Sequence, residues 1–223
     1  TARNILGLIL FTALALRVIA AVGLTHRLEQ NGQDFLIAGD AQGYWELGQH
    51  IAAGEPYAIL GQTDDPLAKA SIPRRVPRMP GFPALLGLVI RLGGDNLLMA
   101  RLVLAVVGTL ACYLVYLLGC RLHGPPVGLT AAAACALSPT LVGFSVLVLS
   151  ETLFAVLLLT WLLGIVSLGR PDSDIDQRPR LSAATWTGLA GCAAVYVRPG
   201  WLVALPLLGL LWIVISNRRR RAT

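Results

Sequence analysis

Three observations predict an all-α integral membrane fold for this chain. Only 13% of its 223 residues are charged and 56% are hydrophobic, whereas an ordinary soluble domain carries about 25% charged residues. The apolar residues gather in runs that approach or exceed the roughly 17–25 residues needed to cross a bilayer. The cations collect in connections and at the ends of these runs, most plainly at Arg218, Arg219, Arg220 and Arg221. The net charge of +6 therefore reads as a cytoplasmic flank, and no nucleic-acid partner is predicted.

The runs place spans near 5–24, 97–118, 127–147, 152–168, 181–197 and 199–216, in a single membrane domain over residues 1–223. The first lacks a small-residue cleavage signal and is read as a retained span. The third contains Ser138-Pro139, which a membrane helix absorbs as a kink. The fifth and sixth are separated by Arg198 alone, so they form a hairpin turning at Arg198-Pro199-Gly200. The run GFPALLGLVIRLGG, residues 81–94, makes a helix of only about 20 Å, short of the ~30 Å hydrocarbon core. It is predicted to lie in the interface rather than to cross, with Pro83 near its start.

Six spans with an internal N-terminus put Arg3, Arg121, Arg170, Arg178, Arg180 and the four terminal arginines on the inner side. Arg198 alone falls in the short outer connections, and the long loop 25–96 is exempt from the charge rule. A seventh crossing at 81–94 would invert that balance. The expectation is a multi-pass plasma (inner) membrane protein with both termini cytoplasmic. Cys112, Cys120, Cys135 and Cys192 sit in or beside apolar runs without zinc-like spacing, so they read as small buried hydrophobes.

Eight of the twelve acidic residues lie in loop 25–96, whereas Asp172, Asp174 and Asp176 share a polar inner connector. Asp40 precedes a helix over 41–53 closed by Gly54, and is either its N-cap or a carboxylate with chemistry to do. Tyr44, Leu47 and Ile51 share one helical face, which predicts a helix on the outer surface with its aromatics at the headgroups. Trp45 and Tyr57 read as interfacial anchors, and His50 as a surface histidine. Glu151 stands alone between two apolar spans, either complementing a helix dipole or serving a site.

The cations on this side are Arg74, Arg75 and Arg78 in the rigid run IPRRVPRMPGFP, Arg198 in the hairpin turn, and Arg17 inside the first span. Arg17 lies about 10 Å below the outer end of that span by helical rise. A planar guanidinium binds phosphate bidentately, so the cluster suits either ordinary anionic lipid or a phosphorylated lipid substrate. No P-loop and no dinucleotide fingerprint is present.

The order of motifs then carries a resemblance. D-x-x-x-Y-x-x-x-G from Asp40 is followed by R-M-P-G-F-P-A-L-L, G-D-N-L-L-M-A-R-L, L-S-P with S-E-T-L-F, and a span ending V-R-P. This order resembles the GT-C membrane glycosyltransferases, in the branch of the dolichyl-phosphate-mannose protein mannosyltransferases and the bacterial lipid A aminoarabinose transferase. The resemblance implies transfer of a sugar from a polyprenyl-phosphate donor to a lipid, protein or glycan acceptor on the outer face. It implies Asp40 as the catalytic base, Arg78 stabilising the leaving phosphate, and Tyr44, Glu151 and Arg198 lining the site. Arg74, Arg75 and Arg17 are added as substrate-binding residues by charge alone.

This chain departs from the family in two respects. Asp40 is followed by Ala41 where the family often carries a second acid, so a divalent cation would have only Asp40 and Glu151 as candidate ligands. Family members are also usually longer, with further spans. The competing reading is a non-catalytic membrane subunit that binds or presents a polyprenyl phosphate. A transporter is disfavoured, because beyond Arg17 the spans carry no charge at midplane depth.

Overall fold

The computed structural model describes residues 2–37, 39–60, 73–75, 78–168 and 178–222. Nearly all of them are helical, in the order α1 (Ala2–Gln30), α2 (Asp40–Ala53), α3 (Gly81–Gly93), α4 (Leu97–His123), α5 (Pro125–Leu137), α6 (Pro139–Val146), α7 (Glu151–Leu168), α8 (Arg178–Val197) and α9 (Trp201–Ala222). Between α2 and α3 a short antiparallel ladder pairs β1 (Ala58–Leu60) with β2 (Pro73–Arg75), in the register Ala58 to Arg75. The ladder was not expected, and it returns the loop after α2 toward the start of α3. Arg74 and Arg75 are described there as backbone only. The side chains of both, like Asp64, Asp65, Arg170, Asp172, Asp174 and Asp176, lie outside the described parts.

α1, α4 and α7 are long and apolar enough to cross a membrane. At 29 and 27 residues, α1 and α4 reach about 43 and 40 Å, well beyond a ~30 Å core. The expected third span is broken at Ser138-Pro139 into α5 and α6, bent by 58°, and the pair makes one further crossing if counted together. The break is sharper than a kink because Pro139 has no N–H to continue α5. Ser138 instead caps α6, accepting from the Leu141 N–H. Leu181–Val197 and Trp201–Leu211 are apolar but shorter, and the expected six spans would include them.

α4 is the hub, packed against α1, α3, α5, α6 and α7, while α7 in turn carries α8. Its start is fixed by Asn96, whose side chain accepts from the N–H groups of Leu98 and Met99, the ordinary N-cap arrangement. Outward faces of α1, α8 and α9 expose Leu8, Phe11, Ile19, Trp186, Leu189, Leu202 and Val203. Such a continuous apolar surface marks contact with lipid rather than water. This is an all-α integral membrane protein.

The 81–94 run forms a helix of 13 residues, as its length required. α2 lies against it, and two glycines set the spacing. A Cβ on Gly48 would fall 2.9 Å from the Leu86 Cβ, and one on Gly87 would fall 3.0 Å from the Gly48 carbonyl oxygen. Leu47 is wholly buried and Ile51 half-buried, so the apolar face of α2 covers α3 instead of facing headgroups. Trp45, expected at the membrane surface, is only 6% exposed and joins Phe82, Leu86, Leu104 and Phe154 in the main core. Helix-to-helix burial thus competes successfully with the interface for these side chains. Replacing Gly48 or Gly87 by Ala should cost about 1–3 kcal/mol through overpacking. The same change at Gly7 or Gly23, where an added Cβ meets nothing within 4 Å, should be neutral or stabilising by up to about 1 kcal/mol. Thermal unfolding of the four variants in detergent reads the opposite signs.

Candidate functional site

The site begins with an arginine laid across a helix N-terminus. Arg78 lies between β2 and α3, and its Nη2 donates to Asp40 Oδ1 at 2.7 Å while Nη1 donates to the Asp40 carbonyl at 2.6 Å. The Gly39 carbonyl accepts a longer bond, at 3.4 Å, from Nη2. Gly43 makes room for this, since a Cβ there would sit 2.8 Å from Nη1. The guanidinium also lies 4.8 Å from the centre of the Tyr44 ring, which meets Phe82 edge-on at 5.1 Å. From behind, the Tyr57 hydroxyl donates to the Arg78 carbonyl at 3.2 Å. Burial pushes the Tyr57 hydroxyl above its usual titration range, helped by Tyr44 and opposed by Arg78. Tyr57 therefore stays a neutral donor at physiological pH.

A second ion pair stands nearby. Arg198, immediately after α8, donates through Nη2 to Glu151 Oε1 at 2.5 Å, and its guanidinium lies over Phe154. Glu151 opens α7 three residues after Val148, a buried β-branched residue at φ 56°. That conformation is costly for valine, and it turns the chain so that Glu151 meets Arg198. Glu151 Oε2 is buried without a hydrogen-bond partner and borders a mainly apolar cavity of about 250 Å³.

The two arginines share one pocket. Arg78, Tyr44, Arg198 and Trp201 line a space of about 420 Å³ at the ends of α2, α3 and α8. They meet because Gly81 is pressed against the last turn of α8. A Cβ there would fall 2.7 Å from the Tyr196 carbonyl oxygen. Neither carboxylate lines the pocket, although Asp40, with 72% of its side chain exposed, stands at its rim. The pocket wall is therefore cationic and hydrogen-bond donating, a surface suited to a phosphate oxyanion.

Of the residues expected from sequence, Asp40, Tyr44, Arg78, Glu151 and Arg198 come together here. Asp40 is not an N-cap: Gly39 holds that position, with no side-chain capping bond. Arg17 does not reach the pocket. It is 1% exposed and donates to Ser145 Oγ at 3.1 Å and to the Ala13 and Cys135 carbonyls, tying α1 to α5 and α6. Sequence reasoning passed over Arg101, which is 2% exposed within α4. The signal was present, as a cation five residues after the Asn96 cap in an otherwise apolar run. A divalent ion does not fit this arrangement. Each candidate ligand is already paired with a guanidinium, and among the described residues no three His, Cys, Asp or Glu side chains converge to hold one.

The Glu151–Arg198 pair can be tested by stability alone. Arg198→Gln leaves a carboxylate with only 30% of its side chain exposed facing no cation. The loss should be about 1–3 kcal/mol, seen as a lower thermal midpoint. Adding Glu151→Gln should restore most of it, because the unpaired charge is then gone.

The family model for dolichyl-phosphate-mannose-protein mannosyltransferase matches residues 75–223. The matched stretch holds Arg78, Glu151 and Arg198, whereas Asp40 and Tyr44 precede it and join the site through their contacts with Arg78. No curated protein and no solved structure matches the chain. The family is one of membrane glycosyltransferases that use polyprenyl-phosphate sugar donors. With two thirds of its length matched and an all-helical membrane fold around the matched arginines, the chain belongs to the dolichyl-phosphate-mannose-protein mannosyltransferase family.

Proposed function

We propose that this protein is an inverting glycosyltransferase that moves a sugar from a polyprenyl-phosphate donor to a lipid, protein or glycan acceptor on the outer face of the plasma membrane. The observation that carries this reading is the pair of guanidiniums, Arg78 and Arg198, lining one pocket with Asp40 at its rim. The arginine balance of the short connections supports the orientation, with both termini inside.

In this reading the phosphate of the donor lies between Arg78 and Arg198, its isoprenoid tail running into lipid. In the resting protein the Arg78 fork occupies Asp40 Oδ1. An incoming phosphate competes for the same fork of Arg78, and the exchange loosens Arg78 from Asp40. Asp40 then accepts the proton of the acceptor hydroxyl as that oxygen attacks the anomeric carbon. The bond from that carbon to the phosphate oxygen breaks on the opposite face, and the configuration inverts. The lipid phosphate leaves with the bonding electron pair, and its charge is met by Arg78 and Arg198. Tyr44 keeps the Arg78 guanidinium in plane for the exchange.

The test uses the purified chain in nanodiscs with radiolabelled undecaprenyl-phosphate sugars and membrane extract as the source of acceptor. Asp40→Asn should lower release of undecaprenyl phosphate about 10²–10⁴-fold while leaving donor binding intact. Arg78→Gln should weaken donor binding as well. Equal lipid binding by wild type and Asp40→Asn, with no release from either, would overturn the transferase reading in favour of a lipid-presenting subunit.

A further inference from the structure

α2 is a wall between two pockets of opposite character. Tyr44 lines the cationic pocket, with Asp40 bonded to the Arg78 of its wall, whereas Gln42, Glu46 and Gln49, about half a helical turn away, line another. This second pocket has a volume of about 780 Å³, within the 300–1,000 Å³ common for small-molecule sites. Glu29 and Asp34 from the end of α1 and its following loop, with Asp95 before α4, complete its acidic lining.

Two features say what it takes. The first is Arg101, which lines it and is almost wholly buried. Its Nη1 donates to Thr25 Oγ1 and its Nη2 to the Asp34 carbonyl, both at 2.7 Å, while its Nε has no partner. A buried N–H of this kind calls for an acceptor. The second is the arrangement of the acids. Glu46 accepts from the Gln42 amide at 2.9 Å and Asp95 from the Gln49 amide at 2.8 Å, so acceptors and donors alternate along the wall. No three of the described acids converge on one point, which excludes a compact cation bound by several carboxylates. An occupant must offer donors at several separated places and at least one acceptor to Arg101. Hydroxyl groups do both at once, and a polyol presents them at such spacing. Four carboxylates against one guanidinium leave the lining with a net three negative charges, which repel phosphorylated or carboxylated ligands.

We infer that this pocket binds a non-anionic oligosaccharide. Resting on the transferase reading above, it holds the acceptor glycan on the face of α2 opposite the donor phosphate. Separating the two ligands by one helix lets a single element carry the base at its N-terminus and the acceptor's anchor along its side.

Binding is measured on the full chain carrying Asp40→Asn, in phosphatidylcholine nanodiscs, by calorimetry and saturation-transfer NMR. The probes are maltotriose, cellotriose, chitosan trisaccharide and anionic trigalacturonate. At least one of the first three should bind saturably, and trigalacturonate at least tenfold more weakly. Glu46→Gln and Asp95→Asn, both conservative changes at partly or fully exposed positions, should each weaken that binding about tenfold while leaving thermal midpoint and undecaprenyl phosphate binding unchanged. No saturable binding of any non-anionic probe would overturn the inference. So would trigalacturonate binding as tightly, or binding lost in Arg78→Gln and kept in Glu46→Gln. Because no turnover is needed, retained trisaccharide binding beside a failed transfer assay would sink the transferase reading alone.

Discussion

At Gly81 the backbone of the segment between α1 and α4 lies against the Tyr196 carbonyl with no room for a side chain. That contact anchors the loop to the bundle. Because α3 begins there, Arg78 is three residues away on one side, and on the other Arg198 follows Tyr196 by two. The ladder of β1 and β2 brings the chain to this point, and the glycine pair Gly48 and Gly87 then seats α2 on α3. Close backbone approach is the usual means of joining helices in lipid, where apolar contact alone gives little preference for a neighbour over a lipid tail. Here it fixes a loop to the bundle.

The guanidiniums divide into two kinds by how they are satisfied. Arg17 is met by a hydroxyl and two backbone carbonyls within the bundle, so its charge is held by oriented dipoles and it works as a tether. Arg78 and Arg198 are instead met by carboxylates at the edge of an open pocket. An ion pair in partial contact with water is worth little net energy and is readily exchanged for a stronger anion. The same chemistry that makes Arg17 a structural group makes the other two available to a ligand. Arg101 lies between these cases, two of its nitrogens satisfied and one not.

α2 stands among three environments. Successive residues of one helix point to a buried face on α3, a cationic pocket at the N-terminus and an acidic pocket along the remaining side. A helix of 14 residues can serve three environments because its period of 3.6 residues distributes short polar side chains around it. Gly39 at the N-cap leaves the Asp40 carboxylate free of a capping bond and so available to Arg78.

Hydropathy and length by themselves determined the membrane class, the position of the long helices and the shortness of the helix at residues 81–94, because these depend only on local composition against a fixed bilayer thickness. Proline and glycine marked where helices end: Pro139 divides α5 from α6, and Gly54 closes α2. Tertiary structure alone decided partners. Asp40 and Arg78 are 38 positions apart, and Glu151 and Arg198 are 47 apart. No periodicity reports such separations. The same limit explains the error at Trp45, whose amphipathic ring suits a headgroup layer and a packed core equally well. It also explains the oversight at Arg101, whose burial follows from Thr25 and Asp34 arriving from another helix and loop. Local physics sets what a segment can be, and the energy that chooses among its neighbours is released only when they pack.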